Sequence, residues 1–248
     1  MLSVKEKKEI KMLHRRKVRY VKQLILVEGP NAVKEALSAS LPCHLLCLVN
    51  DLCLLPWAGV PQDKIRFCSE EEMTALSTTK TGYEVCGIFS MPPEEKSLPP
   101  GDVLYLDHIQ DPGNAGTLIR SACAFGFSAV LFSPGSVDPF SPKVIRSSAG
   151  MIFSVPVFQE EFSRQALISG GRFLLLAEMN APPMEAYASR KEILLVLGNE
   201  GHGAEKTIAE KAGGYCGVLM EPAAESLNVA VAGSILMARR YALKKESL

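Results

Sequence analysis

Asn114, Arg120, Glu200, Ser226 and Asn228 are the polar residues of this 248-residue chain that folding alone explains least well. Arg120 lies inside AGTLIRSACAFG, an otherwise apolar helical stretch, where a guanidinium needs a partner or a pocket. Asn114 stands just ahead of that helix in QDPGNAG, between Gly113 and Gly116, which let backbone come close to another group. The plainer alternative makes Asn114 the helix cap and Arg120 a surface charge. Glu200 and His202 sit in LGNEGHG, where Gly198, Gly201 and Gly203 imply a tight loop with exposed amides. His202 has the chemistry of a general base, although a loop histidine near solvent is more often incidental. ESLN, residues 225–228, opens the last helix. Ser226 reads as its cap and Leu227 as its first helical residue, which leaves Glu225 and Asn228 as extra polar groups facing a ligand. No metal set accompanies them: Cys43, Cys47 and Cys53 cluster, but their spacing matches no zinc pattern.

These residues need strands and helices to hold them. MPPEEKSLPPGD, residues 91–102, carries four prolines and no apolar period and reads as a linker. Before it, LILVEG, HLLCLVND, IRFCS and YEVCGIFSM read as strands. NAVKEALSAS, capped by Asn31, and a segment opened by Ser69 and three glutamates read as helices. After it, VLYLDHI, SAVLF, FSVPVF, RFLLLAEM, ILLVLG and YCGVLM read as strands; the last four-residue part of YCGVLM carries Val218 and Met220. Helices at TLIRSACAFG, at SPKVIRSSAG (Ser141 cap, Pro142 in the first turn) and at the C-terminus alternate with them. The pattern is α/β, with a mostly parallel sheet covered on both faces. Ligands bind such sheets at the carboxyl ends of the strands, where the three polar clusters fall.

Bulk properties narrow the class. The chain is long enough for two domains. Apolar residues form 47% and charged residues 22%, and the apolar runs fall far short of the roughly 20 residues that cross a membrane. No secretory start is recognisable, and seven scattered cysteines suit free thiols in a reducing cytoplasm. Net charge is zero, yet residues 1–23 hold nine Lys or Arg against two Glu, while the rest carries 18 basic and 25 acidic side chains, a net of −7. A basic head on an acidic body suits a polyanionic partner or, equally, a solvated helix. A nicotinamide-dependent oxidoreductase would need a GxGxxG after the first strand, which is missing, as is a phosphate loop.

DPGNAGTLIRSACAFG, LGNEGHG and ESLNVAVA resemble, in order and spacing, the three motifs of the SpoU/TrmH family of RNA 2′-O-ribose methyltransferases in the SPOUT superfamily. SPKVIRSSAGMIFSVPV resembles the family's intervening segment, and VEGPNAVKEAL the small RNA-binding domain that often precedes the catalytic one. Leu219 and Pro222 depart from the usual Pro and Gly of the third block, and Ala230 stands where Ser is frequent.

The resemblance implies a basic segment (1–23), a small α/β RNA-binding domain (24–92), a linker (93–101) and a parallel-sheet SPOUT domain with a trefoil knot (102–248). It implies S-adenosylmethionine as the cofactor, held by Leu197, Gly198, Val218, Met220 and Leu227, and no metal. Arg120 would face the ribose 2′-OH as base or as electrostatic stabiliser; arginine, as a side chain that is nearly always charged, suits the second role better. Asn114 would fix Arg120 and the ribose, Glu200 would hold Arg120 or substrate, and Ser226 and Asn228 would close the site. A homodimer would form through the last helix, around Ala232, Gly233 and Leu236. The substrate would be RNA, ribosomal before transfer RNA, with a cytoplasmic location. A base-methylating relative and an inactive RNA-binding protein fit the polar motif set less well.

Overall fold

The computed structural model describes residues 2–49, 57, 59–77, 82–162, 170–221, 223 and 225–246. The chain divides into two compact units, Met1–Pro93 with Phe140–Ser154, and Glu94–Pro139 with Val155–Leu248. In the first, helices α1 (Val4–Met12) and α2 (Arg16–Lys22) lead into β1 (Leu24–Glu28), α3 (Pro30–Ser38), β2 (Cys43–Leu48), β3 (Ile65–Phe67), α4 (Glu70–Leu76) and β4 (Val85–Ser90). The sheet order is β1-β4-β2-β3, with β4 antiparallel to both neighbours and β3 parallel to β2.

The basic head is an integral part of this unit. Ile10 and Leu13 are buried in one apolar cluster with Leu26, Met73 and Ile88. Removing these side chains from water is what holds a helix rich in lysine against the sheet. Capping boxes start α1 (Ser3 with Glu6) and α4 (Ser69 with Glu72). Asn31 is not the cap of α3: Gly29, at φ 94°, makes the turn and Pro30 occupies the first helical turn, where its missing N–H costs nothing. Cys43, Cys47, Cys68 and Cys86 are buried free thiols. A hydrogen bond with Cys47, together with burial, pushes the Cys68 thiol far above its usual range, so these are core residues, as read. Cys53 lies outside the described residues.

The second unit contains β5 (Val103–Leu106), α5 (Pro112–Ala124), β6 (Ala129–Phe132), β7 (Val157–Gln159), β8 (Phe173–Ala177), β9 (Ile193–Leu197), α7 (Lys206–Ala209), β10 (Gly214–Cys216) and α8 (Val229–Glu246). Its sheet runs β10-β8-β9-β5-β6-β7, and every pair is parallel. The central strands β5, β9 and β6 are buried along their whole length, as their continuous apolar runs require. At the end of the strands opposite the site, buried Asp102 accepts from Arg240 Nε (2.9 Å) and Lys244 Nζ (3.2 Å), pinning α8 to the start of β5.

Helix α6 (Pro142–Ser147), capped by Ser141, belongs with its flanking residues to the first unit. This association has a physical cause. Glu28 is 2% exposed, and a carboxylate so placed needs a cation. Arg146 of α6 supplies it at 2.9 Å. Gly150 then passes so close to α3 that a Cβ there would lie 2.7 Å from the Cα of Ala32.

Candidate active site

Three chain segments leave the carboxyl end of the parallel sheet and meet side chain to side chain. After β5, Asp111 caps α5, its carboxylate accepting from the Asn114 backbone N–H at 2.8 Å. Pro112 fits the first turn. Asn114 is therefore not the cap, and its own amide is free to reach sideways. Asn114 Nδ2 donates to Glu200 Oε1 at 2.7 Å, and Asn114 Oδ1 accepts from Asn228 Nδ2 at 3.1 Å. One residue from each predicted motif thus enters a single hydrogen-bonded row.

The loop after β9 is shaped by its glycines and by Asn199. A Cβ on Gly198 would stand 2.3 Å from the backbone nitrogen of Ala204, so no other residue fits there. Gly203 takes φ +70°, in the left-handed region. Asn199 pairs with Gly203 through both backbone groups. Its side chain donates to the His108 carbonyl and accepts from Gly201 N–H, each at 2.9 Å. His202 is exposed and contributes to no wall of the site, which leaves the incidental reading.

The third segment departs from expectation in its helix cap and in the length of its strand. Helix α8 begins at Val229, and its cap is Asn228, whose Oδ1 accepts from Ala230 N–H (2.9 Å) and Val231 N–H (3.3 Å). Ser226 does not cap; with Leu227 it lies in the irregular chain ahead of the helix and lines the cavity described below. Glu225 is exposed, with no side-chain partner among the described residues. Strand β10 stops at Cys216, so Val218 and Met220 lie in irregular chain. Gly217 N–H donates to the Pro182 carbonyl, which turns the chain off the sheet. Leu219 is 78% exposed, and Pro222 lies outside the described residues.

Between these loops is a cavity of about 790 Å³. Leu197, Gly198, Val218, Met220 and Leu227 all line it, together with Glu200, Ser226 and Asn228. That size and the mix of aliphatic wall with a few polar groups are those of a site for a nucleotide-sized molecule. Cys216 also lines it, but burial pushes its thiol up to about 12, so it is a neutral part of the wall. Arg120 is the exception among the predicted residues. It is exposed on α5, contributes nothing to the cavity wall, and has no hydrogen bond or ion pair among the described residues. Neither Asn114 nor Glu200 bonds to it, contrary to expectation. Gly233 is packed inside the unit, where a Cβ would meet Leu197 and Leu118 at 2.5 and 2.6 Å; it is a core residue rather than part of a free face.

Sequence reading passed over several contributors. Glu178, Met179 and Asn180 form another wall of the cavity; they follow β8, so the strand-end rule pointed to them as well. Asp111 precedes a proline at a helix start, which is a legible cap signal. Asp107, His108 and Glu205 gather ligand-type atoms within 4.8 Å of one another. Both oxygens of buried Asp107 already accept hydrogen bonds, from His108 Nδ1 and Glu205 N–H at 2.8 Å each, so the group is a strut between loops.

The model of the SpoU rRNA Methylase family matches residues 102–238, the stretch that carries all three segments. The chain belongs to this family. Residues 5–87 match the MRM3-like substrate binding domain, so the helices of the basic head fall within a recognised module. The 23S rRNA (guanosine(2553)-2′-O)-methyltransferase RlmP of Bacillus subtilis is 32% identical over 238 residues, covering 93% of both chains. A solved RNA 2′-O ribose methyltransferase is 26% identical, with TM-score 0.84 over 99% of this chain and 98% of that one. An AdoMet-bound rRNA methyltransferase from Sinorhizobium meliloti shares the fold at 22% identity, with TM-score 0.84 over 100% of this chain and 98% of its own.

Proposed function

We propose that this SpoU-family chain transfers a methyl group from S-adenosylmethionine to a ribose 2′-OH of structured RNA, with ribosomal RNA as the substrate class. The observation that carries the reading is the convergence of Asn114, Glu200 and Asn228 at the mouth of the cavity lined by Leu197, Gly198, Val218, Met220 and Leu227.

The cavity's residues fit the cofactor. Aliphatic side chains suit the faces of an adenine, and the backbone around Gly198 can approach its edge because no Cβ intervenes. Bound there, the cofactor would supply a methyl group already activated on a sulfonium, so the chain's task is the acceptor. Asn228 holds Asn114 by its oxygen, Asn114 presents its N–H to Glu200, and Glu200 keeps its second carboxylate oxygen without a partner among the described residues. That oxygen is placed to accept a hydrogen bond from a ribose hydroxyl and orient it. Ser226, on the cavity wall without an internal partner among the described residues, offers a further hydroxyl. As the oxygen–methyl bond forms and the methyl–sulfur bond breaks, releasing a neutral thioether, the hydroxyl gives up its proton to solvent; Arg120 is the residue we assign to the 2′-oxygen, to stabilise the negative charge that loss of the proton leaves on it.

Arg120 lines no part of its own chain's cavity, which favours a homodimer in which a second copy brings it there. Val231 and Ile235, one turn apart on α8 and 47% and 37% exposed, offer an apolar stripe for such a contact. The deep knot of the family is part of the same proposal, supported by the strand order with β9 between β5 and β8. RNA would be engaged by the basic head. Lys5, Lys8, Lys11, Arg15 and Lys17 are all exposed and have no acidic partner among the described residues, a pattern suited to phosphates. No helix among the described residues is long and apolar enough to cross a membrane.

The deciding experiment is methyl transfer from labelled S-adenosylmethionine into RNA from a strain lacking this gene, followed by digestion to nucleosides. A labelled 2′-O-methylnucleoside that disappears with Arg120→Ala supports the reading. Failure both to incorporate label and to bind cofactor sinks it.

A further inference from the structure

We propose that Asn199 is a positioning residue for methyl transfer: it holds Glu200 against Asn114 by tying the 199–203 turn to the exit of β5. The proposal rests on the methyl-transfer reading above. Glu200 is exposed, and its one internal hydrogen bond among the described residues is the 2.7 Å contact with Asn114. A long exposed side chain so weakly held takes its position from its backbone. That backbone is set by the preceding residue. Asn199 closes the turn on itself through N–H to the Gly203 carbonyl (3.0 Å), carbonyl to Gly203 N–H (2.9 Å) and Oδ1 to Gly201 N–H (2.9 Å). Its Nδ2 leaves the turn altogether and donates to the His108 carbonyl at 2.9 Å.

His108 is a rigid anchor. It adopts φ +54°, rare for a residue with a Cβ, which aims its carbonyl away from the strand direction. Its N–H donates to Ser133 Oγ at 2.8 Å, and its ring bonds to Asp107, which is 1% exposed. The ring packs so closely on Gly135 that a Cβ there would lie 2.1 Å from it. Asp107 also accepts from Glu205 N–H, fixing the far end of the same loop. The strut Asp107–His108–Asn199 therefore transmits the position of β5, which also launches Asn114, to the turn that carries Glu200. The two halves of the Asn114–Glu200 contact are set by one framework.

Only an amide of this length both accepts from Gly201 and donates to His108. Asn199→Asp keeps the first bond and loses the second. The full chain is assayed in single turnover with labelled S-adenosylmethionine and ribosomal RNA from a strain lacking the gene. Asn199→Asp is expected to lower the rate about ten- to a hundredfold, the scale of a misplaced catalytic group. The test of a positioning role is a double-mutant cycle: Asn199→Asp added to Glu200→Gln should cause little further loss, because the first acts through the second. Asn199 also borders the cavity, so calorimetry separates the two roles: a positioning residue leaves cofactor affinity in Asn199→Asp close to that of the wild type. Multiplicative losses in the cycle, an unchanged rate, or a loss confined to cofactor affinity would each overturn the proposal. If Asn199→Asp fails to fold, Asn199→Ser, which cannot span to His108, carries the same cycle. A wild-type chain that transfers no methyl group points instead to failure of the functional reading.

Discussion

Asn114 and Glu200, 86 positions apart, meet at 2.7 Å through the amide nitrogen of one and a carboxylate oxygen of the other. The pairing works because Asp111 has taken over the capping of α5, leaving the Asn114 side chain for the site. Asn114→Ala removes the one link among the described residues that joins Glu200 to Asn228, and the turnover rate should fall about a hundredfold or more, as when one preorganised donor is lost. Asn114→Asp should be no better, since it places two carboxylates together. Both variants should bind S-adenosylmethionine, because Asn114 lines no part of the cavity. Rate and calorimetric affinity measured on the same preparations check this.

Arg120 and Glu200 stand in different relations to the cavity: Glu200 lines it and Arg120 does not. If a second copy supplies Arg120, two inactive variants should complement each other. Mixing Arg120→Ala with Glu200→Gln after dissociation and reassembly should restore roughly a quarter of the wild-type activity, since half of the randomly formed dimers are mixed and each holds one intact site. Activity that stays at the level of the separate variants, in dimers verified by light scattering, would assign both residues to one chain's own site.

Asp102 and Arg240 form a buried pair, 2% and 1% exposed, at the other end of the sheet. The guanidinium also donates to the carbonyls of Arg190 and Lys191, so among the described residues its charge is balanced by Asp102 alone, with Lys244 competing for the same carboxylate. Asp102→Ala should lower stability by about 3–5 kcal/mol, the usual cost of an orphaned buried ion. Asp102→Leu combined with Arg240→Met should cost much less than Asp102→Ala alone. Denaturant unfolding of the three proteins tests the ordering.

What the sequence made legible was local. Polar residues at strand exits are short patterns, and Asn114, Glu200, Ser226 and Asn228 all lie where the strand-end rule placed them. The cap assignment failed at Ser226 because Ser226 and Asn228 are equally competent caps, and the choice between them depends on where the chain leaves the cavity wall. The clustering of Phe140–Ser154 with the first unit was hidden for a similar reason. Nothing within that stretch indicates that Arg146 must answer a buried Glu28 118 positions away. The role of Asn199 was hidden among glycines, since its partner is a carbonyl, which every residue has.

The basic head carries a pH response that its lysines conceal. A side-chain hydrogen bond from Ser3, a second from its backbone N–H, and the Arg66 guanidinium hold the Glu6 carboxyl below the usual range. The Lys7 ammonium at 2.5 Å and the Ser69 backbone N–H do the same for Glu72. Both pKa values are lower in the folded chain than in the unfolded one. The stabilisation they give is therefore complete above the ordinary glutamate range, near pH 4.3, and is lost as pH falls through the lowered folded values. Lys7–Glu72 and Arg66–Glu6 join α1 to α4 and β3, so acid should loosen α1 from the sheet. Amide exchange over residues 4–12 should be steady from pH 7 to about 5, once corrected for the intrinsic rate, and should rise below about pH 4. Glu72→Gln should leave that acid transition smaller, with its remainder governed by Glu6. Protection of α1 that does not change between pH 6 and pH 3 would show that Ile10 and Leu13 hold the helix without help from these carboxylates.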